Sequence, residues 1–476
     1  MHQKNKKYLW SPDEFMFQQF ALHLDVMRYP EREIYFDLSS GVNEFPMPKV
    51  WKELMCMEIQ DDLAYQWYTP EEGFPALQKA AKLWENFAAT EGDLYSIKLR
   101  SNVCLTLGAS QAVAIVFDYL SHNFPSCNIL QIGMNYPIFE RLSKPYHLKI
   151  SELLKKEDKD STFLLPEVDE VICRIRQEKP KMIIITVPNN PTGESYSEDD
   201  LIRVFNAAGA LDSFVMVDKA GQMPITHKSF VNVGKAILKS DYQDHIIQIC
   251  SFSKTDSVPG LRLGYFMAAD KIVAHSIKYQ LYTVLNPQTV PVLPIFYSFL
   301  IRSLYLMEKN KWDHYCTYDE VLNVFERLFE ITTAVAPKYF MDKILVRLKP
   351  MNFRADYDRY CQELLHNEKC MDKNRVYILQ ELQEYISRYT VLENGFNFLI
   401  ELSVFEFADE EVLCQEFFRE TKVALLTESC FCLNRPKRGN FWIRISLAAP
   451  EEKFRAAVDR FKCYIEKRYF TNGKLQ

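Results

Sequence analysis

Residues 251–265 read SFSKTDSVPGLRLGY, and this stretch decides the interpretation of the whole chain. It follows an apolar run, IIQIC at residues 246–250, that is typical of a buried strand. Lys254 therefore comes just after a strand, where a low-dielectric setting favours the neutral form of its amine. A neutral amine is a nucleophile that can form a Schiff base with a carbonyl compound. Arg262 follows and offers a guanidinium that can bind a phosphate.

Outward from this stretch, short apolar runs alternate with helical periodicity from about residue 100 to 270. This order predicts a mostly parallel sheet with helices on both faces. The predicted strands are Asn102–Leu107, Asn128–Ile132, Met182–Thr186, residues 214–217 and residues 246–250. Ligands bind beyond the carboxyl ends of the strands in such a sheet. The candidate site residues are therefore those that follow the strands: Gly108, Ala109, Ser110, Asn189, Asn190, Asp218, Ser251 and Lys254.

These residue types suit one kind of cofactor. The turn Gly108-Ala109-Ser110 opens a predicted helix, whose first N–H groups can bind a phosphate. The carboxylate of Asp218 can pair with a protonated ring nitrogen, as the chemistry of pyridoxal phosphate (PLP) requires.

Residues 251–265 closely resemble the cofactor-lysine segment of class I/II aminotransferases, and VPNNPTG at residues 187–193 resembles the asparagine-proline loop of that family. Asp218 stands at the expected distance between the two. The resemblance covers about residues 35–290 and 390–465. It implies an α/β PLP-dependent transferase of fold type I, with a mostly parallel central sheet and a smaller α+β domain built from the N- and C-terminal segments.

The resemblance also implies roles for individual residues. Lys254 forms the internal aldimine and moves the proton, and Asp218 keeps the pyridine nitrogen protonated. Arg444 binds the substrate α-carboxylate, and Gly41 with Val42 closes over the substrate. The other implied contacts are Asn190 to the ring hydroxyl and the substrate, Tyr136 to the ring face, Ala109, Ser110, Ser251 and Arg262 to the phosphate, and Tyr68 to the phosphate of the neighbouring subunit in a homodimer.

The chain departs from the family pattern at Gly221. The family usually has a tyrosine three residues after the aspartate, and its phenol donates a hydrogen bond to the ring oxygen. We expect the aldimine to titrate at a higher pH than in the family unless Gln222 or another tyrosine replaces that phenol. Altered proton handling can also redirect the reaction.

The second departure is a long segment between Lys254 and Arg444. We predict four parts: an N-terminal arm with part of the small domain at 1–60, a large PLP-binding domain at 61–302, a helical insertion at 303–372, and a C-terminal small domain at 373–476. The insertion is interpreted as a surface element or, alternatively, as a lid or partner-binding element. Helices are also predicted to begin at Ser197 and Thr317 and to cover residues 374–387.

Composition excludes several other classes. The net charge of −6 argues against nucleic-acid binding. The most apolar run, residues 290–301, is short and contains two prolines, so no membrane span is expected, and the N-terminus shows no signal-peptide pattern. The 12 Cys and 9 His are scattered without a ligand motif, so we expect reduced thiols, no metal site and a cytoplasmic location.

The sequence therefore predicts an aminotransferase that passes the amino group of an α-amino acid to a 2-oxo acid through the pyridoxamine form, with a role in amino-acid metabolism. Another PLP reaction on the same fold, by a lyase, synthase, racemase or oxidase, remains the alternative. A PLP-binding regulator is disfavoured because only about 35 residues precede the resemblance, too few for a DNA-binding head. A degenerate scaffold is disfavoured because it would not need Lys254, Asp218 and Arg444 together.

Overall fold

The computed structural model describes residues 36–39, 41–60, 68–156, 161–283, 291–312, 316–331, 346–347, 350–402, 410–434 and 442–471. The strands are β1 (Phe36–Asp37), β2 (Asn102–Leu107), β3 (Asn128–Ile132), β4 (Lys149–Leu153), β5 (Met182–Thr186), β6 (Phe214–Asp218), β7 (Ile246–Ser251), β8 (Leu263–Ala268), β9 (Ile386–Tyr389), β10 (Asn397–Leu402), β11 (Val423–Ala424), β12 (Leu426–Thr427) and β13 (Trp442–Ser446). The helices are α1 (Lys49–Ile59), α2 (Pro75–Ala89), α3 (Gly108–Asn123), α4 (Ile138–Ser143), α5 (Val168–Glu178), α6 (Glu198–Gly209), α7 (Val233–Lys239), α8 (Asp270–Thr283), α9 (Leu293–Asn310), α10 (Tyr318–Ile331), α11 (Pro350–Glu381), α12 (Glu410–Thr421) and α13 (Glu451–Thr471).

A seven-stranded sheet, in the order β2-β8-β7-β6-β5-β3-β4, forms the larger part of the protein. Neighbouring strands are parallel except at β8, which runs antiparallel to β2 and β7. Alternate side chains of β5 pack into two hydrophobic cores, one on each face of the sheet. Ile183 and Ile185 face one core, whereas Met182 and Ile184 face the other. Because both faces are buried, a central strand such as β5 is apolar from Met182 to Ile185. The predicted mostly parallel sheet with two covered faces is confirmed.

A smaller α+β part is built around a four-stranded antiparallel sheet, β12-β13-β10-β9. The N-terminal strand β1 pairs with β11 near the other end of the chain. A separate core fills this part, with Phe398, Ile443 and Phe461 fully or almost fully buried. The prediction that N- and C-terminal segments build the smaller part is confirmed.

The segment predicted as an insertion, residues 303–372, is helical over most of its described length but is not confined to the surface. Its predicted start falls inside α9, and Phe325 and Tyr360 lie buried in the core of the large sheet. Helix α11 continues into the other core with Met371 and Ile378. It therefore joins the two cores, while the four-part domain division remains a prediction.

Local signals located two helix starts correctly. Ser197 caps α6 by accepting the Asp200 N–H at 3.1 Å. Thr317 and Glu320 form a reciprocal capping box at α10. The predicted helix at residues 374–387 is wrong at its end, because α11 stops at Glu381 and residues 386–389 form β9. Hydrogen bonding to β10 outweighs the helical pattern there.

Within its described residues the protein has no helix that is both long and apolar enough to cross a membrane.

Candidate active site

A cavity of about 230 Å³ lies where the carboxyl ends of the parallel strands of the large sheet meet the smaller sheet. Most of the predicted site residues lie in its wall, although they come from distant parts of the chain. These are Gly41, Ala109, Ser110, Tyr136, Asn190, Asp218, Ser251, Lys254, Arg262 and Arg444. Three predicted residues do not line it. Gly108 lies beside the wall, against the Arg262 guanidinium. Val42 is next to the wall in sequence, and Tyr68 is 84% exposed on the surface.

Lys254 follows the end of β7 and extends its amine into the cavity. Its Nζ donates to the Gly41 carbonyl, and its own carbonyl accepts from Asn43 Nδ2 at 2.8 Å. Burial, with a smaller effect of the nearby charges of Arg444 and Arg262, lowers the pKa of Lys254 to about 8. A large fraction of this amine is therefore neutral near pH 8, as a nucleophile and base requires.

Asp218 ends β6 on the same rim. Its Oδ1 accepts the Ala220 N–H at 2.9 Å. Burial raises the pKa of Asp218 to about 6, and the bond from Ala220 only partly offsets this effect. A cation placed against the carboxylate would reverse the shift, so the site suits a protonated ring nitrogen.

One end of the cavity is suited to a phosphate. Ala109 and Ser110 lie in the first turn of α3, where unpaired N–H groups and the helix dipole favour an anion. Arg262 lies against this turn: a Cβ at Gly108, whose φ is +76°, would come within 2.8 Å of Arg262 Nη2. Only glycine fits there. The guanidinium, helix start and buried Ser251 therefore meet at one end of the cavity.

Arg444 lies on β13 at the opposite side and is 1% exposed. Its Nη1 donates to Asn190 Oδ1 at 2.9 Å, and its guanidinium carbon lies 4.7 Å from the centre of the Phe431 ring. Its Nε is buried without a hydrogen-bond partner, and Asp37 acts on its charge without forming an ion pair among the described residues. Burial lowers the pKa of Arg444 to about 10. The guanidinium can therefore receive an anion from the cavity.

The loop that carries Asn190 is fixed by its neighbours. Asn189 Nδ2 donates to the Met134 carbonyl at 2.9 Å, which holds the loop against the turn that presents Tyr136. A Cβ at Gly193, whose φ is +78°, would lie 2.5 Å from the Asn397 carbonyl oxygen, so the loop packs tightly on the smaller sheet. Asn190 and Tyr136 thereby reach the same cavity.

The wall at Gly221 is open, because a Cβ added there would meet nothing within 4 Å. Gln222, the suggested replacement for the missing phenol, is turned away: its Nε2 donates to the Val231 carbonyl at 2.8 Å. Tyr136 is the only tyrosine among the described residues that line the cavity. No other phenol in that lining can substitute.

Sequence reasoning missed residues 394–397, which complete the wall before β10. Asn394 holds this turn in place, accepting from Met223 N at 2.7 Å and donating to its carbonyl at 3.1 Å. Asn397 Oδ1 is buried with no partner in the described part of the protein. The dipeptide Asn394-Gly395, a strong turn signal before an apolar run, could have located this segment.

The sequence also did not predict a buried network beneath the Lys254 loop. Arg302 Nη2 donates to Asp256 Oδ2 at 2.5 Å and to Thr255 Oγ1 at 2.8 Å. Asp256 also accepts from Ser298 at 2.9 Å and from Tyr360. We call Thr255, Asp256, Ser298, Arg302 and Tyr360 the anchor network. It fastens the loop that bears Lys254 to α9 and α11.

Known proteins were compared with this chain. Residues 33–292 match the model of the family "Aminotransferase class I and II". An aspartate aminotransferase of Pyrococcus horikoshii is 22% identical over 285 residues, covering 60% of this chain and 68% of that protein. An S-alkyl-thiohydroximate lyase of Arabidopsis thaliana is 27% identical over 295 residues, covering 56% and 58%. Several other curated relatives are matched over only about half of their length or less.

A solved aminotransferase structure from Mycobacterium tuberculosis has the same fold, with a TM-score of 0.67 at 16% identity over 98% of this chain and 100% of that one. The family match covers more than half of the chain, including the candidate phosphate end, Asn190, Asp218 and Lys254. The chain belongs to the class I and II aminotransferase family of PLP-dependent enzymes.

Proposed function

We propose that the protein transfers the amino group of an α-amino acid to a 2-oxo acid and that Lys254 holds PLP covalently. The observation that carries this proposal is the convergence of a low-pKa lysine, a buried carboxyl group and a buried unpaired guanidinium on one cavity. Each of these groups is costly to bury alone, and each matches one charged or reactive part of the cofactor or substrate.

The cofactor is held at several points in this proposal. PLP supplies an electron-withdrawing ring that stabilises negative charge developing at the substrate Cα. Asp218 keeps the ring nitrogen protonated, and Asn190 binds the ring hydroxyl. Tyr136 stacks on the ring face, while Ala109, Ser110, Ser251 and Arg262 bind the phosphate. The fit rests on the anion-binding end of the cavity and on the buried carboxyl group at the other end of the cofactor.

Lys254 moves the proton between the substrate Cα and the cofactor C4′. Its pKa of about 8 suits this role, because the same amine must accept and return a proton near neutral pH. The contact with the Gly41 carbonyl orients the amine towards the segment proposed to close over the substrate together with Val42. The anchor network limits movement of the lysine loop.

Arg444 binds the substrate α-carboxylate, and Asn190 orients the guanidinium. A carboxylate would satisfy the buried Nε and restore the pKa that burial lowers. Since this contact uses a group common to all α-amino acids, it sets the substrate class but not the side-chain preference.

A homodimer is also part of the proposal, with Tyr68 reaching the phosphate in the partner subunit. Support comes from large apolar side chains left on the surface of one chain: Ile59 is 59% exposed, Tyr68 84% and Tyr282 84%. Sedimentation of the PLP-loaded enzyme should give a dimer, and Tyr68→Phe should weaken PLP retention. A stable monomer that retains PLP would refute this part. A cytoplasmic location and a role in amino-acid metabolism complete the proposal.

A lyase-type reaction is the second candidate, and the open wall at Gly221 favours it. Without the expected phenol at the ring oxygen, proton handling differs from the family pattern. The resemblance to a protein named as a lyase points the same way. The synthase, racemase and oxidase alternatives depend on the same argument.

One experiment separates these candidates. The PLP-loaded enzyme is given single amino acids without a 2-oxo acid, and the visible cofactor band is followed together with product release. Amino-group transfer predicts one equivalent of oxo acid and a cofactor that stops in its aminated form until a 2-oxo acid is added. Continued turnover without a 2-oxo acid would favour a lyase. No spectral change with any α-amino acid would refute both.

A further inference from the structure

Three possible metal ligands meet at a surface remote from the cavity. Asp118 and His122 lie one turn apart near the end of α3, and His275 projects from α8 beside them. One ligand atom from each residue lies within 4.8 Å of the other two. Ala109 lies in the first turn of the same helix, at the cavity, about 14 Å from Asp118 and about 20 Å from His122 at 1.5 Å per residue. The cluster is therefore not part of the proposed active site.

The separations suit a small cation. Asp118 Oδ2 is 3.4 Å from His122 Nδ1, close to the spacing of about 3.4 Å between two ligands of a tetrahedral ion bound at about 2.1 Å. His275 Nε2 is 2.7 Å from the same oxygen. A metal would replace that hydrogen bond and also the one between His122 Nδ1 and the Asp118 backbone carbonyl, which are 2.9 Å apart. His275 Nε2 and Asp118 Oδ2 would move apart by less than about 1 Å.

Burial and charge also favour a cation here. The side chains of Asp118 and His275 are 17% and 18% exposed, so two ligands are held in place, whereas His122 is 66% exposed and leaves a path for an ion and its waters. The edge of the Tyr119 ring packs on the His275 ring, with the centroids 5.4 Å apart. The negative end of the α3 dipole lies in the same turn.

We propose that Asp118, His122 and His275 bind a first-row divalent metal ion, with water completing the coordination. Two imidazoles and one carboxylate are a ligand set that suits Zn²⁺, Fe²⁺, Co²⁺ and Ni²⁺ better than Mg²⁺ or Ca²⁺. This inference is independent of the proposed function. This proposal departs from the sequence-based expectation of no metal site; that expectation arises because His275 is far along the chain from the other two residues and no motif links them.

The test is titration of Zn²⁺ into the PLP-loaded enzyme, read by calorimetry rather than by activity. The exposed thiols of Cys56, Cys173 and Cys463 are first blocked, because they also bind zinc. His122→Ala removes an exposed ligand with little effect on folding. His147→Asn is the matched control, since His147 is exposed with a φ of 53° that asparagine tolerates.

The proposal expects one zinc per chain in the unchanged enzyme and in H147N. In H122A, and separately in His275→Gln, the affinity for Zn²⁺ should fall at least about tenfold. Even the loss of a residue that only hydrogen-bonds to a metal ligand lowers metal affinity about 10–100-fold. Absence of a one-to-one zinc site, or H122A binding as tightly as the control, would overturn it. If H275Q does not fold, H122A decides alone.

Discussion

Among the residues that the structure describes, two arginines are buried, and one has an ionic partner whereas the other has none. Arg302 is 4% exposed and Arg444 is 1% exposed. Burial opposes the charge of Arg302, but Asp256 together with Tyr360, Tyr265 and Glu85 more than offsets this, and the pKa of Arg302 is raised. Arg444 forms no ion pair among the described residues; burial lowers its pKa to about 10, and the weaker effects of Tyr136 and Asp37 do not offset this. The protein pairs one guanidinium internally, and the other is the one that we propose for the substrate carboxylate.

The difference teaches how to separate structure from function in a buried polar group. A charge whose partners are all in the protein holds elements together, as Arg302 holds the Lys254 loop to α9 and α11. A charge buried without an ionic partner is unfavourable to the fold and therefore marks a candidate binding site. The anchor network is an example of the first kind of charge, and Arg444 in the cavity is an example of the second. Both lie close to Lys254.

The largest expected effect is on the anchor network. Arg302→Met should lower the free energy of unfolding by about 3–5 kcal/mol, because the Asp256 carboxylate is left buried without its cation. Urea denaturation of the PLP-loaded enzyme measures this. The control is Asp256→Asn combined with Arg302→Met, which should cost much less than the sum of the single changes. A loss below about 1 kcal/mol in R302M would break the comparison.

Arg444→Met should have the opposite effect to Arg302→Met: activity should fall, whereas stability should not. We expect kcat/KM for an accepted amino acid to fall by the equivalent of about 3–4 kcal/mol, since a buried charge pair with the substrate is lost. The stability of the substrate-free enzyme should be unchanged or higher, because an unpaired buried charge is removed. Steady-state kinetics and denaturation of the same preparation give both values. A destabilised enzyme with normal kinetics would contradict the assignment.

Asp218 gives a pH-dependent test of the cavity. Its pKa of about 6 in the folded protein exceeds the ordinary value near 3.9, so its contribution to stability is complete below about pH 4 and is lost as pH rises through 6. In the cofactor-free enzyme, Asp218→Asn should therefore be more stable than the unchanged protein by about 2–3 kcal/mol at pH 8, at about 1.36 kcal/mol per pKa unit.

The difference in unfolding free energy between D218N and the unchanged enzyme should nearly vanish close to pH 4. Saturating PLP should also reduce it at pH 8, because the ring nitrogen would then pair with the carboxylate. A difference independent of pH would mean that Asp218 does not titrate as burial implies.

The smallest effect concerns the open wall. Gly221→Tyr should lower the pKa of the Lys254–cofactor linkage, read from the visible absorption band, by about one unit. The reason is that a hydrogen bond to a charged group is worth about 1.5 kcal/mol or more. A Cβ there meets nothing within 4 Å, and Gly221 is outside the positive-φ region. Gly221→Phe adds the ring without the hydroxyl and should leave that pKa unchanged. Equal shifts in both variants would show that bulk, not the phenol, matters.

Much of the fold could be predicted because apolar runs and turn residues, which depend only on neighbouring positions in the sequence, marked the strands and their ends. The strands at Asn102–Leu107, Asn128–Ile132 and Met182–Thr186 were predicted with the observed bounds. The rule that ligands bind past the carboxyl ends of parallel strands then placed Asp218 and Lys254 at one cavity. The residue roles remain proposals.

The rest could not be predicted because it depends on contacts between distant residues. The antiparallel direction of β8 is set by hydrogen bonding to β2 and β7, which single-strand patterns do not encode. Asp256 and Arg302 are each ordinary surface residue types until the fold buries them together. The helical pattern of residues 374–387 continues past Glu381, where α11 ends and the chain enters the smaller sheet as β9.

The covalent attachment of the cofactor to Lys254 tests the central claim most directly. The yellow enzyme is reduced with borohydride, digested, and its peptides are mapped by mass spectrometry. We predict one pyridoxyl group per chain, on the Lys254 amine, and none in Lys254→Ala. A colourless protein, or a pyridoxyl group on another lysine, would contradict this account of the site.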